Sequence, residues 1–190
     1  MLVWIIVGVV VVVLLFLVIG AYNRLVGLDQ TADQAFADID VQLKQRHDLI
    51  PNLVETVKGY ASHERGTLEA VIQARSAATH ATGVNEKVEA ENMLTATLGR
   101  LFALSEAYPQ LRANENFMRL QSDLSDIENK LAAARRFFNN AVSEFNAVRR
   151  QFPTVLFAGL VGFGSDKPFF DVGTEQRAAM DAAPPKVSFS

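Results

Sequence analysis

Cysteine is missing from this chain of 190 residues. Disulfide frameworks, thiolate zinc sites, iron–sulfur clusters, lipoprotein anchors and cysteine nucleophiles are therefore excluded together. Glycine (11) and proline (6) are scarce, which disfavours a turn-rich β fold and any low-complexity class. There is no basic excess: 18 Lys and Arg stand against 21 Asp and Glu, a net charge of −3. A nucleic-acid binder working by bulk electrostatics is excluded, because no surplus of cations exists to displace counterions. Nor does any charged side chain precede Arg24.

What is present explains the mean hydropathy of +0.13. Residues 2–19 read LVWIIVGVVVVVLLFLVI. At the helical rise, roughly 18 residues cover about 27 Å, enough for a bilayer core. Trp4 and Tyr22 bracket the run where an aromatic belt would sit, with Phe16 inside it. A cleaved signal peptide needs a basic leading region, a shorter apolar core and a small-x-small site. Here the basic region is missing, and Val18-Ile19-Gly20 and Ile19-Gly20-Ala21 are poor sites. Residues 1–21 are thus expected to be a retained single-pass membrane anchor. Arg24 alone votes on orientation, and it favours a cytoplasmic domain after the span.

From residue 22 to 152 the pattern is helical. Leu28, Ala32, Ala35, Ile39 and Leu43 form a first face before Pro51, one that can run continuously out of the span. Leu53, Val57, Tyr60, Leu68, Val71, Ile72 and Ala78 form a second, with Gly59 and Gly66 as kinks and an end near residues 80–83. A third, Glu86 to Tyr108, carries Val88, Leu94, Leu98, Leu101 and Leu104 and is broken by Pro109. The fourth is the clearest. Phe117, Leu120, Leu124, Ile127, Leu131, Ala134, Phe138, Ala141, Phe145, Val148 and Phe152 recur at spacings of three and four, a seam of coiled-coil type. Asn114 or Asn116 would cap its start and Pro153 would end it. Four amphipathic helices with short connections predict an all-α, antiparallel, up-and-down four-helix bundle over residues 22–152.

Residues 153–170, PTVLFAGLVGFGSDKPFF, follow the bundle, and a polar tail occupies 171–190. An even number of antiparallel helices returns the chain to the membrane side. This segment is too short and glycine-rich to span, and too apolar to sit free in water. Phe157, Leu160, Val161, Phe163, Phe169 and Phe170 are the expected contacts, against a neighbouring subunit near the membrane. A flap over the bundle's own end and immersion at the lipid interface are the alternatives.

Catalytic patterns are missing. None of His47, His63 and His80 has a carboxylate three residues earlier, so the Glu-x-x-His of di-iron bundles does not occur. There is no His-Glu-x-x-His and no Gly-x-Ser-x-Gly. Gly159, Gly162 and Gly164 form neither a P-loop nor a dinucleotide fingerprint. His63-Glu64-Arg65 reads as a solvated helix face. Asn52, Glu55, Asn92, Asn114, Asn116 and Asn139 lie near the seams as caps, as register-setting amides or as the lining of a partner groove. Arg135-Arg136 and Arg149-Arg150 read as solvated faces, with anionic headgroups as the other partner open to Arg149-Arg150. No cofactor, metal or catalytic residue is expected.

Two long runs carry a resemblance. YNRLVGLDQTADQAFADIDVQLKQRHDLIPNLVETVKGYASHERGTLEAVIQAR (22–75) and LFALSEAYPQLRANENFMRLQSDLSDIENKLAAARRFFNNAVSEFN (101–146) closely resemble the LemA family of bacterial membrane proteins. The FP…LVGF…FF ending and Pro185 to Phe189 fit it as well. The resemblance implies one N-terminal membrane helix in the bacterial cell membrane, a four-helix bundle, and no established enzymatic activity or cofactor. It also implies a role in membrane organisation or partnership with a membrane protein such as a protease. Three functional classes follow: a homo-oligomeric scaffold on the lipid bilayer, an adaptor of envelope machinery, and an enzyme or metal carrier. The third is disfavoured, because the seams are filled by Leu, Phe and Ala rather than by inward carboxylates and histidines.

Overall fold

The computed structural model describes residues 1–171; the tail beyond, with the Pro185–Phe189 motif, lies outside the described residues. Among the described residues five α-helices follow one another: α1 (Leu2–Lys58), α2 (Arg65–His80), α3 (Gly83–Ser105), α4 (Pro109–Arg112) and α5 (Glu115–Arg150). A 3-10 turn at Thr154–Leu156 follows α5. Among the described residues there is no strand, so the fold is all-α, as the periodicity requires.

Several boundaries depart from the sequence expectation. Pro51 does not end the first helix; it lies inside α1. A proline lacks the N–H that would bond the carbonyl four residues back, here that of His47. That carbonyl is taken by the Arg75 Nε–H of α2 at 2.8 Å. The break falls instead at Gly59, where Tyr60 N–H and Ala61 N–H both turn back to the Val57 carbonyl. Leu53 and Val57 therefore belong to α1. Two short helices, α2 and α3, replace one kinked helix and one later-starting helix. α3 opens at Gly83, whose φ of +72° suits glycine. Glu86 reaches back to accept the Thr82 N–H at 2.9 Å and its hydroxyl at 3.0 Å. Asn114 is the cap of α5: its Oδ1 accepts the Phe117 N–H at 3.0 Å, and its Nδ2 donates to the Tyr60 hydroxyl at 2.9 Å. Asn116 is exposed inside the helix.

The chain forms two compact units. The first comprises residues 1–46 and 125–169. In it, Arg24 faces Glu144, Phe36 packs on Phe138 with ring centroids 5.5 Å apart, and Arg46 reaches Glu128 at 2.7 Å. The partners advance along α1 as they retreat along α5, so the two helices are antiparallel. Ala32, Ala35, Ile39, Leu131, Phe138 and Val142 are buried between them. The alanines on α1 leave room for the phenylalanines of α5.

The second unit comprises residues 47–124 together with Phe170 and Asp171. The end of α1, α2, α3, α4 and the start of α5 enclose a core that includes Ile50, Leu53, Val71, Leu94, Leu101 and Phe117. Phe102 meets Phe117 edge-on at 6.2 Å. α2 contributes Leu68, Val71, Ala74 and Ala78 and α3 contributes Ala90, Leu94, Leu98 and Leu101, stripes at the spacings of three and four that an amphipathic helix requires, while α4 adds Leu111.

Candidate membrane-proximal site

Residues 2–20 of α1 are all exposed. Among the described residues this is the one helix long and apolar enough to cross a membrane. Trp4 and Phe16 lie within it, and Tyr22 lies just beyond. Packing against the rest of the first unit begins at Leu25, which is fully buried.

The segment after α5 folds back beside this transition. Val148, Gln151, Phe152, Pro153 and Thr154 line a groove of about 410 Å³ with Leu14, Phe16, Leu17, Val18, Gly20, Ala21 and Arg24. Ala158 is buried with Leu25, Phe145 and Val148, and Phe163 packs on that cluster, edge-on to Phe145 at 5.8 Å. The turn that reverses the chain passes through Gly162, at φ +95°, a backbone region that only glycine enters without strain. A polar clasp then fixes residues 164–167. Asn146, itself buried, donates from Nδ2 to the Lys167 carbonyl at 3.0 Å and accepts the Lys167 N–H on Oδ1 at 2.9 Å. Arg149 and Arg150 both close on the Asp166 carboxylate, and Arg149 Nη1 adds a bond to the Gly164 carbonyl at 3.2 Å. Lys167 Nζ lies 2.9 Å from Asp29 and 2.7 Å from Asp33 on α1, and 5.6 Å from the Phe145 ring centroid. Burial pulls the Lys167 ammonium down, but hydrogen bonds and charge from Asp33 and Asp29 outweigh it and hold the group above its usual value.

The six residues singled out from the sequence are therefore divided. Phe170 is buried and Phe163 packs inward, while Phe157 is half-buried. Leu160, Val161 and Phe169 face outward, Leu160 at 88% exposure. Phe152, expected at the end of the α5 seam, is 79% exposed, because α5 stops at Arg150 and the following turn swings its ring off the seam. Arg149 and Arg150 are not merely solvated faces: Asp166, beyond the proline, is their partner. Asn52, Glu55 and Asn116 do come together, in an open groove of about 500 Å³ shared with Arg119 and Asp123 in the second unit. Asn92 and Asn139 lie outside it.

One inward polar pair has no counterpart in the sequence expectation that the seams hold only apolar side chains. His47 and Glu91 are both buried, with Nε2 2.6 Å from Oε1. The contact requires the hydrogen on Nε2 when Glu91 is ionised. Nothing in the sequence links residues 44 apart on different helices. His63 and His80 are exposed, and His80 Nδ1 meets the Ser76 carbonyl at 2.7 Å. Among the described residues no three histidines or carboxylates converge as metal ligands would.

An exposed apolar helix running without interruption into a packed helical hairpin defines a membrane-associated all-α protein. Comparison with known proteins sharpens the class. The LemA family model matches residues 35–189, and the chain belongs to the LemA family. It is similar to protein LemA of Metamycoplasma hominis, 24% identical over 133 residues, covering 70% of this chain and 61% of that protein. It is also similar to magnetosome protein MamQ of Magnetospirillum gryphiswaldense, 21% identical over 168 residues, covering 75% of this chain and 62% of MamQ. The chain thus spans about three-fifths of the length of these curated relatives.

Proposed function

We propose that the protein is a single-pass, membrane-anchored helical scaffold that self-assembles at the bacterial cell membrane and organises it. The observation that carries this reading is α1 itself: one helix is both the exposed apolar span and half of the packed hairpin. The first unit is thereby coupled to the bilayer through a continuous helix, as a scaffold requires and as a flexible tether would not provide. Similarity to proteins named as magnetosome proteins supports a place in membrane organisation. Arg24, with no charge before it, supports a cytoplasmic position for the hairpin.

The test is the mass of the full chain in detergent, with co-purifying proteins identified. A uniform multiple of 20.9 kDa without another protein supports the scaffold. A stable heteromer, with a membrane protease for example, would instead make the protein an adaptor. A lone monomer would overturn both. Orientation is read by placing a cysteine at the exposed Val41 of this cysteine-free chain. A membrane-impermeant maleimide should leave it unlabelled until the cells are opened.

A further inference from the structure

We infer that residues 152–161 form a second membrane contact, an apolar knuckle that dips into the lipid interface beside the span. The inference rests on the reading of residues 2–19 as a membrane span, and it follows from depth. Phe152, Pro153 and Thr154 share a groove with Leu14, Phe16, Leu17 and Val18. Those four residues lie inside the apolar run, within roughly 8 Å of its end at Ile19 along the helix. The groove runs on past the end of the apolar run to Ala21 and Arg24, so if the run is immersed, Phe152, Pro153 and Thr154 lie at the level where it leaves the hydrocarbon. That is the headgroup–acyl boundary, where interfacial elements bury their apolar faces about 5–10 Å deep.

The exposed chemistry of the knuckle matches that depth. Phe152, Val155, Leu156, Leu160 and Val161 are all exposed, Leu156 at 69%. The segment is a 3-10 turn and a glycine turn, with no charged side chain between Gln151 and Ser165. Its charged clasp comes later: Asp166 and Lys167 bind Arg149, Arg150, Asp29 and Asp33. Asp29 is roughly 15 Å beyond Ile19 on α1, on the aqueous side. Apolar side chains thus occupy the lipid level and charges occupy the water level. Continuity with the span selects lipid as the occupant, since a second copy seated there would have to displace lipid from the same depth.

The chain has a single tryptophan, Trp4, which makes the test direct. The full chain is reconstituted in phosphatidylethanolamine–phosphatidylglycerol vesicles with and without acyl-brominated phosphatidylcholine. Trp4 in the natural chain reports on the span. In a Trp4→Phe background, Leu156→Trp and Leu160→Trp report on the knuckle, and Val41→Trp reports on the hairpin. Both knuckle tryptophans should emit to the blue and lose fluorescence to bromine placed near the headgroups, while Val41→Trp should not. Quenching of Trp4 without quenching of either knuckle tryptophan overturns the inference and leaves the span intact. Blue emission without bromine quenching at the knuckle also overturns it, and gives the surface to a second copy. Failure of Trp4 itself to quench overturns the reading of the span, and the inference with it.

Discussion

The smallest details of the fold are backbone groups whose partners come from distant residues. Pro51 leaves the His47 carbonyl without its intrahelical donor, and Arg75 supplies one. Arg75→Ala should therefore destabilise the second unit by about 1 kcal/mol, the usual net effect of losing one hydrogen bond at a part-buried site. With Pro51→Ala in the background, residue 51 regains an N–H aimed at the same carbonyl. The effect of Arg75→Ala should then shrink, and a double-mutant cycle by chemical denaturation measures the difference. Equal losses in both backgrounds would show that Arg75 acts through packing instead. Only half of this arrangement was legible in the sequence. The proline announces a missing donor, but which side chain answers depends on how α2 lies against α1. The His47–Glu91 pair was illegible for the same reason. The cap of α5 was legible as a choice between Asn114 and Asn116, because its bond is local, and the Phe117 N–H on Asn114 decides it. Charge at Lys167 adds a dependence on pH. Its value is held above the ordinary 10.5 in the folded chain. The stabilisation is fully present below 10.5 and is lost as pH rises through the higher folded value. Amide-exchange protection at Lys167 should accordingly fall off in strong alkali, and Asp29→Asn with Asp33→Asn should flatten that dependence.

At the scale of elements, the seam of α5 was read nearly residue for residue, because spacings of three and four over many turns have no other explanation. Leu131 is fully buried, whereas Glu144 is more than half exposed. Leu131→Asp should unfold the first unit, since an unpaired buried carboxylate costs several kcal/mol against a typical domain stability of about 5–15 kcal/mol. Glu144→Ala removes only a solvated ion pair with Arg24 and should shift the melting temperature little. Circular dichroism melts in detergent separate the two, and equal tolerance would mean that the seam is misplaced. Element ends were less legible than seams. Proline at position 51 looked like a terminator and glycine at 59 like a kink, yet the helix runs through Pro51 and ends before Gly59. A helix tolerates one missing hydrogen bond when another donor takes the freed carbonyl, whereas Gly59 sits where the chain must reverse toward α2.

For the molecule as a whole, the two cores draw on separate residues, so removal of the apolar run should leave both intact. A chain lacking residues 1–21 should remain helical by circular dichroism, because the first buried side chain of α1 is Leu25. It should also retain weak, reversible sedimentation with phosphatidylglycerol vesicles. Replacing Leu156 and Leu160 with serine in that shortened chain should abolish the sedimentation without loss of helix. Loss of helicity on truncation would show instead that α1 needs the span to start.

On the reading of residues 2–19 as a membrane span, the continuity of α1 across residues 19–25 makes the helix a lever with the bilayer as its bearing. Membrane helices tilt by about 20° on average, and by more where the hydrocarbon is thin relative to the apolar run. Arg46 lies roughly 40 Å beyond Ile19 along the helix, so a tilt of that size sweeps this point sideways by about 14 Å. Because Lys167 is clasped to Asp29 and Asp33, the segment after α5 travels with that arm. On that reading, local bilayer thickness is converted into lateral displacement of the hairpin, a mechanical quantity that copies assembled as the proposed scaffold would share.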